Sequence, residues 1–447
     1  LVLGIESSCD DSSVALVEVS KHNHGELDLD LPTSDVIASH KRWQLRVIFH
    51  ETVTANNDAF SGIHPLVALD SHRAHLAPLV QKAFRSWQEQ QRLLFVAVTR
   101  GPGMRSNLAV GLDLAKGIAL AQDVPLVGVH HMQAHALTPR LLVAQANRDG
   151  YDRKSMNLEA TKPEFPYLSI LVSGGHTMLM QSQSLTDHAI LAETHDIALG
   201  DCLDKAARAI LPANLLRPPY GAALERFAWH TDVKDLSDLL DHETYEDAPV
   251  PTRRQDELER RRSDWGWSLA PPLSESKGGE KSSRRMVYSF AGLQSSVERF
   301  MKFELGPHGE LTRTARDPDK ISLSERQAMA REVQRVAFEH LASRLLLYLT
   351  SPDGDVSINT VVVSGGVAAN KFLRHVVRGI LDARGFSHIK LMFPPIELCT
   401  DNALMIAWAG IEMYAAGYTT SLDVGPIRKW PLDTAVTGGG ILETTGW

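Results

Sequence analysis

Residues 1–19, LVLGIESSCDDSSVALVEV, contain the pattern from which the fold class can be predicted. The apolar run Leu1–Ile5 predicts a buried strand, a small polar turn follows it, and Val14–Val19 predicts a second strand that completes a hairpin. Residues 167–181, YLSILVSGGHTMLMQ, repeat the order of strand, Gly/Ser turn and strand with different residues. The chain therefore contains a weak internal repeat of architecture rather than of sequence.

Strands and helices alternate after each predicted hairpin. The first half has predicted strands at Leu94–Val98 and Leu126–Val129 and predicted helices at 66–88, 107–121 and 130–142. The second half adds a strand at Thr360–Val363 and a helix at Lys371–Ala383. This alternation indicates an α/β fold with a mostly parallel sheet core in each half.

Length and composition limit the class of protein. A chain of 447 residues is too long for one hydrophobic core, so two domains are expected. Hydrophobic residues make up 43% and charged residues 22%, as in an ordinary globular protein, and the apolar runs are too short to predict a membrane span.

Three widely spaced cysteines favour a reducing compartment over a disulfide scaffold. The net charge of −8 counts against nucleic-acid binding, although five arginines are concentrated in residues 253–262.

Composition shifts suggest the domain boundaries. We expect a first lobe formed by residues 1–145 with about 400–425, and a second lobe formed by residues 164–399. Segment 232–285 is predicted to be a charged insertion in the second lobe, because it is rich in charge, Pro, Gly and Ser and has little periodicity. Residues 426–447 are rich in Gly, Pro and Thr and are predicted to form a tail without secondary structure.

Two histidines at helical spacing are the strongest local signal of chemistry. His131 and His135 would share one helix face, so both imidazoles can point at one ion, and neutral imidazole suits zinc or iron. The alternative is an ordinary helix face in a chain with 19 histidines. The metalloprotease pattern H-E-x-x-H places a general base after the first histidine, whereas Met132 stands there. The spacing alone leaves metal binding open, and the absence of the glutamate base counts against a metalloprotease.

Four small polar turns, at 7–13, 101–106, 173–177 and 364–370, each follow a predicted apolar strand. Glycine lets backbone N–H groups approach phosphate oxygens closely, and a following helix N-terminus favours an anion. The sequence Gly101-Pro102-Gly103 alone is better explained as a tight turn, but the four turns together favour nucleotide or phosphate binding. Asp401 directly precedes an apolar helix, which predicts that it is the N-cap.

Several longer motifs occur in a fixed order across about residues 4–410. They are GIESSCDDS at 4–12, PLVGVHHMQAH at 125–135, LVSGGHT at 171–177, SFAGL at 289–293, SGGVAAN at 364–370 and CTDN at 399–402. In this order they resemble the tRNA N6-adenosine threonylcarbamoyltransferase family, formerly described as O-sialoglycoprotein endopeptidases. The resemblance covers nearly the whole chain apart from the insertions and the tail.

The resemblance implies an actin-like fold of two ribonuclease-H-like lobes, as in sugar kinases and chaperone ATPases. It implies that His131, His135 and Asp401 hold one divalent metal ion per subunit, zinc or iron, with magnesium as a further option. The positions implied to hold the nucleotide-bearing substrate are Leu171, Val172, Ser173, Gly174, Gly175, Asp204, Gly221, Ala369 and Asn370. Asp11 is a candidate general base by its location only.

The resemblance also implies a reaction and its partners. The threonylcarbamoyl group would pass from threonylcarbamoyl-adenylate, made by a separate synthase, to N6 of the adenosine 3′ of the anticodon (position 37). The acceptor tRNAs would be those that read codons starting with A, and AMP would be released. The HMQAH form at 131–135 is similar to bacterial and mitochondrial members, and the charged insertions are similar to those of fungal mitochondrial members. A homodimer in the mitochondrial matrix is therefore expected, with a cytoplasmic location as the alternative.

Three other functions stay open from the sequence. A kinase or chaperone ATPase of the same fold would have no use for the histidine pair. A metallopeptidase would lack its glutamate base. A non-catalytic tRNA- or nucleotide-binding partner would bind these ligands without transferring a group.

Overall fold

The structure is a computed structural model that describes residues 1–21, 43–57, 63–87, 91–149, 163–229, 245, 248–274, 282–307, 309–352, 354–444 and 446–447. The predicted insertion at 232–285 is therefore described only in part. The chain forms two compact units. The first comprises Leu1–Tyr167, Gln181–Ala189 and Pro394–Trp447, and the second comprises Leu168–Met180 and Ile190–Phe393.

The strands, in chain order, are β1 (Val2–Glu6), β2 (Asp11–Lys21), β3 (Trp43–Thr54), β4 (Phe95–Gly101), β5 (Leu126–His130), β6 (Tyr167–Val172), β7 (Thr177–Ser182), β8 (His188–Glu193), β9 (Phe303–Leu305), β10 (Leu311–Ala315), β11 (Thr360–Ser364) and β12 (Lys390–Met392). The α-helices are α1 (Pro65–Arg85), α2 (Arg105–Gln122), α3 (His131–Asp149), α4 (Leu199–Ile210), α5 (Tyr220–Trp229), α6 (Ala291–Lys302), α7 (Leu323–Leu349), α8 (Lys371–Ala383), α9 (Ile396–Cys399) and α10 (Ala403–Ala415). Among the helices of the described residues, none has both the length and the hydrophobicity that a membrane span requires.

Both units are built on a five-stranded sheet with the same strand order. The first sheet has the order β3-β2-β1-β4-β5, and the second has the order β12-β11-β6-β7-β8. In each sheet, the first three strands of the unit lie side by side in chain order. The remaining two strands, β4 and β5 or β11 and β12, lie on the other side of the first strand, which is β1 or β6. The internal repeat of architecture is thus confirmed, and it is the topology of two ribonuclease-H-like lobes in an actin-like α/β fold.

The sheets are mixed rather than mostly parallel, so that part of the expectation was wrong. Strand β1 pairs with β2 antiparallel and with β4 parallel. In the second sheet, β11 pairs with both β6 and β12 in parallel. Strands β6 and β7 are neighbours joined by only four residues, a connection too short for a parallel pair. The hairpin that opens each unit therefore imposes the antiparallel half of its sheet.

Helix α7 was absent from the predicted elements, although it is 27 residues long. Most of its side chains are buried, including several charged ones such as Glu339 and Arg344. A helix that is covered on nearly all sides has no polar face, so its sequence lacks the periodicity by which a surface helix is recognised. Strands β3 and β8 were also not among the predicted elements.

Helix α10 lies very close to strands β1 and β4 because two glycines face the contact. A Cβ atom on Gly4 would lie 2.5 Å from the carbonyl oxygen of Ala403, and a Cβ on Gly410 would lie 2.6 Å from the Cβ of Ala97. Any larger residue at either position would push the helix away from the sheet. The contact thereby sets the position of the residues that directly precede α10, among them Asp401.

A buried ion pair joins helices α3 and α10. The Nε of Arg140 donates to both carboxylate oxygens of Glu412, at 2.7 and 3.0 Å, and the guanidinium lies 4.7 Å from the ring centre of Phe165. Both charged side chains are only 3% exposed, so loss of one partner would leave an uncompensated buried charge. The pair holds the two helices of the first unit in one arrangement.

Residues 426–447 form no helix or strand in their described part, yet they are packed. Trp430 and Ile441 are buried, and the indole N–H of Trp430 donates to the carbonyl of Gly440 at 3.1 Å. The tail thus belongs to the hydrophobic core of the first unit.

The glycine contact under α10 gives a stability prediction. Gly4→Ala should destabilise the first unit by about 1–3 kcal/mol, because the new methyl group overlaps backbone atoms of α10. Gly117→Ala is the matched control: Gly117 lies inside α2 and a Cβ there meets nothing within 4 Å. That change should stabilise the unit by about 0.5–1 kcal/mol, since alanine loses less backbone entropy in a helix. Urea unfolding followed by tryptophan fluorescence measures both, and equal effects of the two changes would contradict the close contact.

Candidate metal centre and nucleotide-binding turns

The start of helix α3 is held by His130. The Nδ1 of His130 accepts the backbone N–H of Met132 at 3.2 Å, and its Nε2 donates to the carbonyl of Trp430 at 3.0 Å. Burial lowers the pKa of His130 to about 3, so the ring stays neutral and can accept at Nδ1. His131 and His135 then lie in the first turns of the helix, with their rings edge to face and 4.7 Å between centroids.

Asp401 faces both histidines. Its Oδ1 lies 3.0 Å from Nε2 of His135 and 3.4 Å from Nε2 of His131. One ligand atom from each of these three residues lies within 4.8 Å of the others. The predicted N-cap role of Asp401 was wrong by one residue, because the Asn402 side chain accepts the N–H of Met405 at 3.0 Å and caps α10. The Asp401 carboxylate is therefore not used in capping and points at the imidazoles.

Glu6, at the end of β1, stands behind His131 and was not identified from the sequence. It is fully buried, and its Oε2 lies 3.3 Å from Nδ1 of His131. The same carboxylate accepts the hydroxyl of Thr99 and the backbone N–H of Ser8, each at 2.5 Å. A carboxylate behind a histidine fixes the orientation of the ring and makes its other nitrogen a better ligand. Glu6 is recognised as the residue that orients His131 only by its position in the folded structure, beside Thr99 of β4. Its spacing from other residues in the sequence gives no signal of this role.

The electrostatics of this cluster favour a cation. Burial by itself would raise the pKa of Asp401, but the charge of His131 and hydrogen bonds from both histidines hold that pKa well below its usual range. Burial would likewise lower the pKa of His131, yet the charges of Asp401 and Glu6 raise it well above the ordinary value. His131 thus carries positive charge between the buried Glu6 and the partly exposed Asp401, and a metal ion bound by His131 would take the place of its proton.

The donor set fits a transition metal. Two imidazole nitrogens and one carboxylate oxygen are ligands that zinc and iron accept, and three protein ligands leave a coordination position for a substrate oxygen. The Nδ1 atom of His135 is buried and has no hydrogen-bond partner among the described residues. These three residues are therefore a candidate metal centre within the first unit.

Asp11 lies at the start of β2 and accepts a hydrogen bond from the hydroxyl of Thr54. Burial raises the pKa of Asp11 to about 6, and the charges of Asp10 and Asp401 add to the effect. A carboxylate with a raised pKa is a better base than an ordinary aspartate. Its position beside the cluster keeps Asp11 as a candidate general base.

The two predicted phosphate turns of the first unit pack against each other. The N–H of Met104 donates to the carbonyl of Ser8 at 2.9 Å, and a Cβ on Gly103 would lie 2.7 Å from the same oxygen. The Asn107 side chain donates to the carbonyl of Cys9 at 2.7 Å. The turn at 101–106 therefore supports the turn after β1, and its glycine is explained by close packing.

The turn after β6, in the second unit, is open. The hydroxyl of Ser173 accepts the backbone N–H groups of Gly175 and His176 at 3.3 and 3.0 Å. A Cβ on Gly174 or Gly175 would meet nothing within 4 Å, so these glycines leave room above the backbone. The N–H of Gly200, in the first turn of α4, donates to the carbonyl of Ser173 at 3.1 Å. A helix N-terminus therefore lies directly against the turn, which favours an anionic ligand there.

The remaining predicted substrate positions lie in the same unit. Leu171 and Ser364 are paired in the parallel strands β6 and β11, so the turns that follow the two strands share one sheet edge. The turn after β11 contains Ala369, which lies in a short 3-10 helix, Gly366–Ala369. Asp204 accepts the N–H of Gly221 at 3.1 Å, which brings these two together.

Asn370 is engaged in the protein itself. Its side-chain oxygen accepts the N–H of Leu373 at 2.9 Å and caps α8, while its amide nitrogen donates to Gln334 on α7 at 2.9 Å. The side chain thereby ties the end of the turn after β11 to the core helix. A contact from Asn370 to a ligand could use its backbone, its second amide N–H or the second lone pair of its side-chain oxygen.

Asp196 is a residue of this region that the sequence did not single out. Its carboxylate accepts the hydroxyl of Ser289 at 2.6 Å and the N–H groups of Phe290 and Ile197 at 2.9 and 2.6 Å. Burial alone would raise the pKa of Asp196, but these hydrogen bonds outweigh it and lower the pKa. The motif at 289–293 is thereby fastened to the segment that leads into α4, across 93 residues of sequence.

Comparison with known proteins adds to this geometry. The model of the tRNA N6-adenosine threonylcarbamoyltransferase family matches residues 47–149, 153–240 and 254–408. A Schizosaccharomyces pombe protein named "tRNA N6-adenosine threonylcarbamoyltransferase, mitochondrial" is 35% identical, covering 100% of this chain and 88% of that protein. A Brucella ovis protein named tRNA N6-adenosine threonylcarbamoyltransferase is 33% identical over 97% of this chain and 95% of its own length.

A solved structure, component A of the Acidaminococcus fermentans (R)-2-hydroxyglutaryl-CoA dehydratase, covers 93% of this chain and 97% of its own at 12% identity and a TM-score of 0.39. A structural likeness of that size has no bearing on function. The family match, by contrast, spans most of the chain and includes the candidate metal ligands and the open turns. By this match and by its full-length relatives, the chain belongs to the tRNA N6-adenosine threonylcarbamoyltransferase family.

Proposed function

We propose that this protein transfers the threonylcarbamoyl group from threonylcarbamoyl-adenylate to N6 of the adenosine 3′ of the anticodon, position 37, in tRNAs that read codons starting with A. AMP is the second product. The observation that carries the proposal is the identity with named transferases across the whole length of the chain. The cluster of His131, His135 and Asp401 supports it, because neither a kinase nor a chaperone ATPase would need that donor set.

His131, His135 and Asp401 hold one divalent metal ion in this proposal, zinc or iron before magnesium. A metal ion with an open coordination position supplies Lewis-acid stabilisation of negative charge on an oxygen. Glu6 orients His131 through Nδ1, at 3.3 Å, and so directs Nε2 toward the shared ligand position. Asp11, with its pKa raised by burial to about 6, is ionised at neutral pH and accepts the proton from the attacking amine.

The second unit holds the nucleotide-bearing substrate. The residues proposed for this role are Leu171, Val172, Ser173, Gly174, Gly175, Asp204, Gly221, Ala369 and Asn370. The open backbone at Gly174 and Gly175 admits a phosphate close to N–H groups, and the N-terminus of α4 adds a favourable dipole. The Asp204 carboxylate suits a ribose hydroxyl, because it accepts hydrogen bonds when ionised.

N6 of adenine is a poor nucleophile because its lone pair is delocalised into the ring. The chain must therefore act mainly by positioning the two reactants and by stabilising developing charge. The target base has to leave its stack to be reached, as in other enzymes that modify a base. The burial of Glu6 and His131 keeps the ligand cluster fixed, which is what positioning requires.

The cellular setting follows the relative from S. pombe, whose name includes "mitochondrial". We place this protein in the mitochondrial matrix, where it works on tRNA as a homodimer and receives threonylcarbamoyl-adenylate from a separate synthase. The sparse cysteines, none of them in a disulfide, agree with a reducing compartment.

The transfer reaction is the first prediction to test. The purified protein, mixed with a threonylcarbamoyl-adenylate synthase, its substrates and unmodified tRNA, should yield threonylcarbamoyl-adenosine on digestion of the tRNA. Mass spectrometry detects the product, and reactions without this protein or without ATP are the controls. Tight binding of tRNA or nucleotide with no product, even with bacterial-type partner proteins added, would favour the non-catalytic binding partner instead. Cleavage of a glycoprotein substrate would favour the metallopeptidase.

The ligand cluster gives a second prediction. His135→Ala and Asp401→Ala should each lose the bound metal after dialysis and lower transfer by roughly a hundredfold or more, since two ligands rarely retain the ion. Elemental analysis by mass spectrometry measures the occupancy. His75→Ala is the matched control, because this half-buried histidine of the same unit lies on α1 and contacts Ser71 instead. Full metal occupancy in either ligand variant would show that the site is elsewhere.

The open turn of the second unit gives a third prediction. Gly174→Val should lower the affinity for AMP by about tenfold or more, because the added side chain enters the space above the turn that the nucleotide would occupy. Stability should be unchanged, since a Cβ there meets no protein atom within 4 Å. Isothermal titration calorimetry measures the affinity.

Gly425→Val serves as the control for that experiment. Gly425 belongs to the first unit, and a Cβ there also meets nothing within 4 Å. Equal AMP affinities in the two variants would remove the turn at 173–175 from the nucleotide site.

A further inference from the structure

A cavity in the second unit, apart from the turn at 173–175, has no part in the proposed reaction. It has a volume of about 630 Å³, within the range of small-molecule sites. Its apolar wall is formed by Leu191, Met286, Leu346, Leu347 and Pro352. The cavity is partly open to solvent, so a ligand can enter without rearrangement of the core.

Positive charge dominates the lining of this cavity. Arg254, Arg284 and Arg384 line it together with a single carboxylate, that of Glu257. Glu257 is buried and already forms ion pairs with Arg254 and with Arg384, the latter at 2.5 Å. Arg284 is exposed and forms no ion pair within the described part of the chain. The carboxylate is thus shared between two guanidinium groups, and the third, that of Arg284, has no carboxylate partner among the described residues.

Arg344 adds a further positive charge behind the cavity wall. It is almost fully buried, and its guanidinium donates to the carbonyls of Arg285 and Ser283 at 2.5 and 3.1 Å. It forms no ion pair among the described residues. Burial, together with the charge of Arg254, lowers its pKa to about 10. The charge of Glu257 offsets this effect only in part, so a further anion nearby would be bound favourably.

This cavity is separate from the open turns. Helix α7 touches the turn region through Gln334, whereas Ser343, Leu346 and Leu347 of the same helix line the cavity. Nine residues separate Gln334 from Ser343, which corresponds to about 14 Å along the helix axis. A ligand in the cavity would therefore leave the turn at 173–175 unoccupied.

We propose that the cavity formed by Arg254, Arg284, Arg384 and the end of α7 is a second anion site that binds a phosphate group. Guanidinium groups recognise phosphate through paired hydrogen bonds, and three of them line this cavity together with a single carboxylate. The phosphate comes either from a free phosphorylated small molecule or from the backbone of a tRNA. Binding at this site requires no group transfer, so its test is independent of the proposed reaction.

The test compares Arg284→Glu with Arg285→Glu in the full chain. Both residues are exposed neighbours, but only Arg284 lines the cavity, so the pair separates a local contact from a general change of charge. One arm titrates pyrophosphate by calorimetry as the probe of free phosphate. The other arm measures tRNA binding by fluorescence anisotropy at several salt concentrations. Arg284→Gln repeats both arms in case charge reversal disturbs folding, which circular dichroism would reveal.

If the phosphate is free, Arg284→Glu should weaken pyrophosphate binding about tenfold or more while Arg285→Glu changes it less than about twofold. If the phosphate belongs to tRNA, only Arg284→Glu should weaken tRNA binding and reduce the slope of log K against log salt by about 1. Equal behaviour of the two variants in both arms would overturn the proposal.

Discussion

The packing of helix α10 on strand β1 is the contact on which the candidate metal centre depends. Gly4 lets the backbone of α10 approach so closely that a single methyl group would overlap the Ala403 carbonyl. The segment before α10 then places Asp401 opposite the histidines of α3, with 3.0 Å between its carboxylate and His135. Because Arg140 and Glu412 join α3 to α10 by a buried ion pair, the donors of both helices are held in register. A shift of α10 by one methyl radius would move one ligand relative to the other two.

Burial of charge is the second feature that shapes this centre. Glu6 is fully buried and the Asp401 side chain is 24% exposed, and both keep pKa values below the ordinary range because His131 carries positive charge between them. Burial alone would have the opposite effect on each carboxyl group. The hydroxyl of Thr99 and the N–H of Ser8 satisfy the remaining positions on Glu6. Such an arrangement of charges is stable only when they are paired, and a divalent cation that displaces the His131 proton would pair the two carboxylates instead.

The two units share a strand order, but their opening turns have different uses. After β1, the turn is covered by the segment Gly101–Met104 and carries acidic residues, whereas after β6 the turn is open and contains Ser173, Gly174, Gly175 and His176. Some arginines that the composition suggests for ligand binding are engaged in ion pairs within the protein. Arg253 pairs with Asp256, and Arg254 pairs with Glu257, so part of the basic run at 253–262 stabilises its own loop. Arg284 and Arg384, from outside this run, complete the positive lining of the cavity in the second unit.

The sequence by itself determined the class of fold, the repeat of strand, turn and strand, and the pairing of His131 with His135. These features are local: alternation along a strand and a spacing of four along a helix depend only on neighbours in the chain. The Gly/Ser turns, likewise, could be recognised without knowing their surroundings.

Only the tertiary structure decided that Asn402 and not Asp401 caps α10, that Glu6 stands behind His131, and that Asp196 holds Ser289. It also decided that α7 is a helix buried on nearly all sides and that the sheets are mixed. Each of these depends on residues separated by many positions, or on which face of an element is covered. Such contacts leave no period in the sequence, because the side chains involved are selected by their partners across the fold and not by their neighbours along the chain.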